Sequence, residues 1–600
     1  MNKSTLLSAI ILFSGILFSQ TATTTVNIGT TVMSNPKLLL GITYDCRSSL
    51  NVSGYGQAGY HNTDGSFIPE VDAVFGDFPM IGLRYPANGI MQGFEWKKSI
   101  GPIATRTAQQ IFAQGNTPAQ VLEFGFDEFM AMTAARGTNP KNVQLMIPIY
   151  DSADNTLKST QQNAAVPNVV QSNADWVEYA NAPNDNSNPG GGTDWAAVRA
   201  INGHPAPYGI ELWNLGNEPY TPNEFDTSGV NSYITMIVPI IDAMRAIDPT
   251  IKITVTVTGK ALSAWTNTVL NSPLLQGKIY GINSHAFITE EVINNAIPYG
   301  VNTYETAIKG LSAAAKIKGY KFILGDNAHA ILGAQPTAAV QDLAMQWQGA
   351  NTTMDFLLMM SQIDNLERSN FWAYGLASAQ WHPIRKNANG TYTSMPVAEL
   401  YKKLNSVFLD NSISTISTSP IASDTNPYSV RSGAFASADL SKLNIIAVNR
   451  DKLITIPMQI NGTTNYTISN ARVLTATSLS SDVIIESTIT PDINGNYSMP
   501  AMSILILEYS RITLDVNESI SETNSITLYP NPANDSVTLK RNTNKDLEIK
   551  IYNTLGQLVK TESLKENNPT INVACLKTGT YMVAIKSKEF TINRKLIINR

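Results

Sequence analysis

Tyr208-Gly209-Ile210-Glu211-Leu212-Trp213-Asn214-Leu215-Gly216-Asn217-Glu218-Pro219 runs from an apolar stretch into an amide, a carboxylic acid and a proline. The apolar part has the length and character of a strand buried in a parallel sheet, and the tetrad Gly216 to Pro219 marks where that strand stops. A strand ending at the mouth of a barrel holds a carboxyl group rigidly in a cleft. There, Asn217 is placed to bond a sugar hydroxyl while Glu218 protonates a glycosidic oxygen. The same triplet, Asn-Glu-Pro, also occurs as a turn that starts a helix with proline at its first position. The rest of the chain decides between these readings.

Working outward, short apolar runs alternate with amphipathic stretches, the pattern of repeated strand-helix units around a parallel sheet. Eight strands are expected: Leu38 to Asp45, Met80 to Pro86, Asn142 to Tyr150, Tyr208 to Leu215, Ile251 to Thr258, Ile279 to Phe287, Lys321 to Asp326 and Ser369 to Leu376. Between them, Tyr304, Ile308, Leu311 and Ala315 keep one helical face apolar. A last helix, Pro396 to Leu409, closes the unit. A doubly wound open sheet is the competing arrangement. The count of eight favours a (β/α)8 barrel, as do the polar residues recurring at strand ends: Asp45, Arg84, Glu218, His285 and Asp326.

After Leu409 the texture changes to short alternating strands, such as Leu443 to Asn449 and Ile504 to Tyr509, which predict an all-β sandwich. The expected organisation is a signal peptide over 1–20, a strand over 21–37 packing on the sandwich, the barrel over 38–409 and the sandwich over 410–512. A polar linker over 513–525 and a small β-sandwich over 526–600 follow. Lys3 and the apolar run Leu6 to Phe18 carry the export-signal reading, and small residues around Ser19 to Ala22 suit cleavage. That run is short for a spanning helix, and a retained anchor is the alternative. No other stretch reads as a transmembrane segment of the mature chain.

The 600 residues carry a formal charge of −5 and no Lys or Arg run of the kind that tracks nucleic acid, so no nucleic-acid partner is expected. Cys46 and Cys575 lie at opposite ends and predict no disulfide. The five histidines, His61, His204, His285, His329 and His382, form no closely spaced ligand pair, so no metal site is expected. The chain lacks a glycine-rich phosphate loop after a strand and a Gly-x-Ser-x-Gly elbow. A hydrolase without cofactors is the expectation.

Leu83-Arg84-Tyr85-Pro86-Ala87-Asn88-Gly89, Gly93 to Lys97, Ile100-Gly101-Pro102, Phe124 to Phe129 and Ala174 to Tyr179 together resemble the family 51 glycoside hydrolases, the α-L-arabinofuranosidases. The resemblance covers roughly Leu38 to Ser510. It implies a barrel followed by a β-sandwich and retaining hydrolysis, with a Glu acid/base at Glu218, an Asn before it and a Glu nucleophile ending strand seven. Strand seven reads Phe322-Ile323-Leu324-Gly325-Asp326-Asn327-Ala328-His329, so Asp326 stands where the family has its nucleophile. Asp45 likewise stands where a sugar-contacting Glu is usual. Both side chains are one methylene short. Because the carboxyl separation sets the stereochemical outcome, retention, inversion and sugar binding without turnover all stay open. A pyranoside substrate is a further alternative.

The catalytic pair is therefore expected to be Glu218 and Asp326, with burial raising the Glu218 pKa and Arg84 keeping Asp326 ionised. Asn217, His285, Arg84, Asp45, Tyr44, Trp96, Asn327 and Trp381 are the expected substrate contacts. The resemblance implies that His285 bonds near the nucleophile. Trp372 and Tyr374 read as barrel packing, and Glu290 and Glu291 are fallback nucleophiles. Near the C-terminus, Leu528 to Asn534, Ile551 to Gln557 and Leu576 to Tyr581 resemble the three signatures of the type IX secretion system sorting domain. This implies transport machinery as a partner besides a poly- or oligosaccharide substrate, and release or attachment at the cell surface.

Overall fold

The computed structural model describes residues 21–46, 60–86, 93–109, 119–153, 166–221, 225, 227–259, 262–288, 302–329, 342–374, 383–419, 428–512, 526–540, 546–565, 569–587 and 591–600. The signal-peptide, linker, Trp381, Glu290 and Glu291 expectations lie outside these residues. The chain forms two compact units, dividing between Arg511 and Ile512.

The first unit opens with β1 (Ala22–Ser34), and a closed barrel of eight strands follows. These are β2 (Gly41–Tyr44), β3 (Leu83–Tyr85), β4 (Val143–Ile147), β5 (Leu212–Leu215), β6 (Lys252–Thr256), β7 (Gly281–Ile288), β8 (Lys321–His329) and β9 (Leu366–Tyr374). Every neighbouring pair is parallel, and β9 closes onto β2. Each of the eight expected strands is present in order. Several begin later than the apolar runs suggest, and for two the backbone gives the reason. Pro36 starts a 3-10 turn over Pro36–Leu40, which removes Leu38 to Leu40 from the first strand. Gly209, at φ 77°, keeps the chain out of extended geometry ahead of β5.

The helices of this unit are α1 (Pro69–Phe75), α2 (Phe126–Ala135), α3 (Val169–Asn181), α4 (Trp195–Ile201), α5 (Val230–Ile247), α6 (Ala264–Asn271), α7 (Asn302–Ile317), α8 (Trp347–Ser361) and α9 (Pro396–Val407). Among the described residues, α5 alone is long and apolar enough to cross a membrane. Its buried residues Tyr233, Ile234, Ile237, Ile240, Ile241 and Met244 fall on one face at helical spacing and belong to the barrel core.

Beyond a two-stranded ribbon, β10 (Ile384–Lys386) and β11 (Tyr392–Ser394), the chain builds one continuous sheet of nine strands. It comprises β1 with β12 (Asn411–Thr418), β13 (Val430–Ala436), β14 (Lys442–Asn449), β15 (Ile456–Asn461), β16 (Tyr466–Thr475), β17 (Ile485–Thr488), β18 (Tyr497–Met499) and β19 (Ile504–Arg511). Pairing is antiparallel except between β1 and β15. Side chains alternate along each strand, so the sheet has two apolar faces. Leu443, Ile445, Ala447, Leu505 and Leu507 enter the sheet's own core, whereas Ile446, Val448, Ile504 and Ile506 join the barrel core. Helix α8 belongs to that shared core, and all 15 of its residues are buried. Its Asp355 pairs with Arg431 and Arg450 from the sheet, each at 2.6 Å.

The second unit packs a three-stranded sheet, β20 (Thr527–Tyr529), β21 (Ser536–Lys540) and β24 (Thr570–Asn572), with a four-stranded one, β22 (Leu547–Tyr552), β23 (Leu558–Leu564), β25 (Gly579–Lys586) and β26 (Thr591–Ile598). The motif residues Asn553 to Gln557 make the β22–β23 turn. Asn553 Oδ1 accepts from the amides of Leu555 and Gln557, and Gly556 takes φ 76°. Of the two cysteines, Cys46 is buried and Cys575 exposed, and neither is in a disulfide.

Candidate active site

Strand β5 ends in a backbone that only a constrained site tolerates. Gly216 has φ 72° and Glu218 φ 46°, and the left-handed region is costly for a side chain as large as glutamate. The turn is held by Gly216 N donating to Ile147 O, at 3.0 Å, and Thr221 N donating to Glu218 O, at 3.0 Å. It lifts the Glu218 side chain into the barrel mouth, where it stays 32% exposed.

Asp326 arrives by a different device. The β7–β8 register is regular to Ser284 and Leu324, then shifts so that His285 faces Asp326. The β8–β9 ladder is also irregular between Leu324 and Asn327. This bulge re-aims Asp326 inward. Gly325 makes it possible, because a Cβ at that position would sit 2.2 Å from Asn283 Oδ1. Asp326 is 2% exposed, and both its oxygens are engaged. Thr43 Oγ1 donates to Oδ1 at 2.5 Å, and Arg84 Nη1 to Oδ2 at 2.6 Å.

Arg84 extends the network from β3. Its Nη2 donates to Asn217 Oδ1 at 2.9 Å and lies 3.3 Å from His285 Nε2. A guanidinium only donates, so Nε2 accepts and the imidazole proton sits on Nδ1. From there it is donated to Glu218 Oε1 at 3.0 Å. His285 Nε2 is also 3.7 Å from Asp326 Oδ2. One ring therefore stands between the two carboxyls. Burial pulls the Arg84 pKa down, with the charges of Asp326 and Glu218 opposing it.

Glu218 departs from expectation. Burial raises its pKa, but the hydrogen bond and electrostatic pull of His285, the Tyr220 hydroxyl and the Arg84 charge together outweigh it. The carboxyl ends below the ordinary range. The expected upward shift assumed an apolar wall, whereas the wall contains hydrogen-bond donors.

The structure brings Glu218, Asp326, Arg84, Asn217 and His285 together and gives Tyr44, Trp96 and Asn327 partners other than these five. Tyr44 is fully buried and donates from Oη to His61 Nε2 at 2.5 Å, against the Phe124 ring. Strand alternation turns Thr43 inward and Tyr44 toward the barrel's outer layer. Trp96 is also fully buried, stacked on Trp176 with centroids 5.7 Å apart and bonded from Nε1 to Ser172 O. It is a core residue between the barrel and α3. Asn327, one step past Asp326, turns its amide to Ser369 Oγ and Asn370 O on β9. Asp45 is fully buried just after β2, and Trp372 is buried in β9. Thr43 and Tyr220 were missed. Each lies two residues from a residue that the sequence did single out, a spacing that in a strand or turn returns to the same side. Among the described residues, no three His, Cys, Asp or Glu side chains gather to hold a metal.

Residues 82–296, which hold Arg84, Glu218 and His285, match the family model of the alpha-L-arabinofuranosidase 1 domain. The barrel is arabinofuranosidase-like. Residues 527–599 match the secretion system C-terminal sorting domain. The arabinofuranosidase-like segment is 26% identical over 214 residues to an exo-alpha-(1->6)-L-arabinofuranosidase of Bifidobacterium longum. It is 25% identical over 219 residues to a probable alpha-L-arabinofuranosidase C of Aspergillus clavatus. These matches cover 35% and 36% of this chain and 35% and 38% of those relatives' own length. Solved structures align over far more of the arabinofuranosidase-like unit. A family 51 alpha-L-arabinofuranosidase from Thermotoga petrophila gives a TM-score of 0.63 at 18% identity, over 81% of this chain and 99% of that one. A counterpart from Xanthomonas axonopodis pv. citri gives 0.63 at 15%, over 82% and 100%. At these identities the likeness is one of fold.

Proposed function

We propose that this chain is an exported glycoside hydrolase that cleaves α-L-arabinofuranosides, with Glu218 as acid/base and Asp326 as nucleophile. The observation that carries the reading is the single imidazole of His285, which reaches Glu218 at 3.0 Å and Asp326 at 3.7 Å across the barrel mouth. The two carboxyls sit in environments suited to different tasks. Glu218 is partly open to solvent and able to exchange a proton with a leaving group. Asp326 is enclosed and paired with Arg84. Asn217 is held by Arg84 beside the acid, the position from which an amide side chain meets a sugar hydroxyl. The arabinofuranoside assignment rests on the family match over residues 82–296, and export on the sorting domain.

A second reading is a secreted glycan-binding barrel without turnover, favoured by the enclosure of Asp326 with both oxygens already bonded. Turnover of aryl α-L-arabinofuranosides by the full chain separates the two. In the hydrolase reading, Glu218→Gln and Asp326→Asn each abolish or cripple release of the aryl alcohol while glycan binding persists. Glycan binding by the wild-type chain with no turnover of any arabinoside would support the binder. The anomer first released, followed by NMR, distinguishes retention from inversion.

A further inference from the structure

We infer that Tyr220 is a positioning residue for the acid/base, pinning Glu218 Oε1 together with His285 so that the transferred proton travels through Oε2. The inference rests on the acid/base reading of Glu218 given above and adds a residue that the sequence did not single out. Tyr220 follows Glu218 by two positions in the turn after β5, and its hydroxyl donates to Oε1 at 3.3 Å. The same oxygen receives the Nδ1 proton of His285 at 3.0 Å. Oε2 receives no hydrogen bond from the described residues, and the side chain's 32% exposure leaves it the oxygen free to meet a substrate.

The phenol is itself fixed. Its ring meets Trp265 of α6 edge to face, with centroids 6.2 Å apart, and the fully buried Trp265 is bonded from Nε1 to Thr256 O at 3.0 Å. Burial and the Glu218 charge both push the phenol well above its ordinary pKa, so it remains a donor across the working range. A carboxyl held at one oxygen by two donors cannot rotate freely, so its other oxygen keeps one direction. In the reaction, the Oε2–H bond breaks as the proton passes to the glycosidic oxygen. The electron pair of the breaking C1–O bond stays with that oxygen, which leaves as an alcohol, while a carboxylate oxygen of Asp326 bonds C1; water later displaces Asp326 from C1 and gives its proton to Oε2.

Four ionisable groups face Glu218 or stand behind its partner: His285 from β7, Arg84 from β3, Asp326 from β8 and Tyr220 from its own turn. Removing the Tyr220 hydroxyl deletes a donor that favours the carboxylate, so the acid form should persist to higher pH.

Tyr220→Phe keeps the ring against Trp265 and tests this in the full chain. For a methyl or other unactivated arabinoside, kcat/KM should fall about tenfold, the scale of one hydrogen bond to a charged group. For a dinitrophenyl arabinoside, whose departure needs no proton, it should hold within about twofold. The basic limb of the pH profile should move to higher pH. Independently of turnover, 13C NMR of labelled carboxyls, with Glu218 assigned through Glu218→Gln, should show its titration moving upward in Tyr220→Phe. Equal losses on both substrates, no loss on either, or an unmoved Glu218 titration would overturn the inference. If Glu218→Gln itself spares the unactivated substrate, the acid/base reading fails instead, while the NMR titration still reports on Tyr220.

Discussion

Arg84 Nη1 lies 2.6 Å from Asp326 Oδ2, and neither side chain has meaningful access to water. Such a pair is costly to assemble and more costly to halve, because the survivor is left charged in a medium that solvates it poorly. Arg84→Met should therefore lower unfolding free energy by about 3–5 kcal/mol in urea titrations. The double variant with Asp326→Asn should recover part of that loss. A single variant as stable as the parent would mean that the pair carries no such cost.

The Glu218 carboxyl is held below its ordinary range, its burial being outweighed by His285, Tyr220 and Arg84. A group that must be protonated to act then loses its active form early as pH rises. Steady-state kcat/KM should be highest on the acidic side of neutrality and decline toward alkaline pH. The same shift makes folding favour the ionised group. That contribution to stability is present above the ordinary carboxylate range and disappears as pH falls through the lowered folded value. A profile that rises through neutrality would contradict the assignment.

Gly325 precedes Asp326 at the bulge and leaves no room for a methyl group against Asn283. Gly325→Ala should cost about 1–3 kcal/mol of stability through overpacking. It should also lower kcat more than it raises KM, since Asn283 Nδ2 lies 3.4 Å from His285 Nε2 and would be displaced beside it. Thermal unfolding together with kinetics checks both effects.

Trp96 sits within the Trp176, Tyr179 and Trp195 cluster. Trp96→Ala should destabilise the fold by about 3–5 kcal/mol. The fraction that remains folded should keep a nearly unchanged KM for aryl arabinosides. A large rise in KM with stability intact would return Trp96 to the substrate.

The barrel was legible because strands buried on both faces leave short, nearly continuous apolar runs, as in Ile251 to Thr258 around β6. Their ends were less legible, since a proline at position 36 and a left-handed glycine at 209 act through local geometry that hydropathy does not register. Polar residues closing apolar strands located Arg84, Glu218, His285 and Asp326. Facing was the weak point. Tyr44 looked like a cleft aromatic and Thr43 was passed over, yet a period of two gives the cleft to Thr43. The proton affinity of Glu218 also depended on which donors, from β3, β7 and its own turn, converge on one oxygen, and no single segment encodes that.

Strand β1 precedes the barrel in the chain, yet pairs with β12, which follows it. The polypeptide thus leaves the nine-stranded sheet, winds the whole barrel and comes back to buckle onto its own beginning, with α8 gripped between the two. Amputating the closing strands would remove Ile446, Val448, Ile504 and Ile506 and leave their apolar neighbours in the shared core facing water. A catalytic fragment trimmed at residue 409 should precipitate, whereas one cut between Arg511 and Ile512 should remain dispersed and folded.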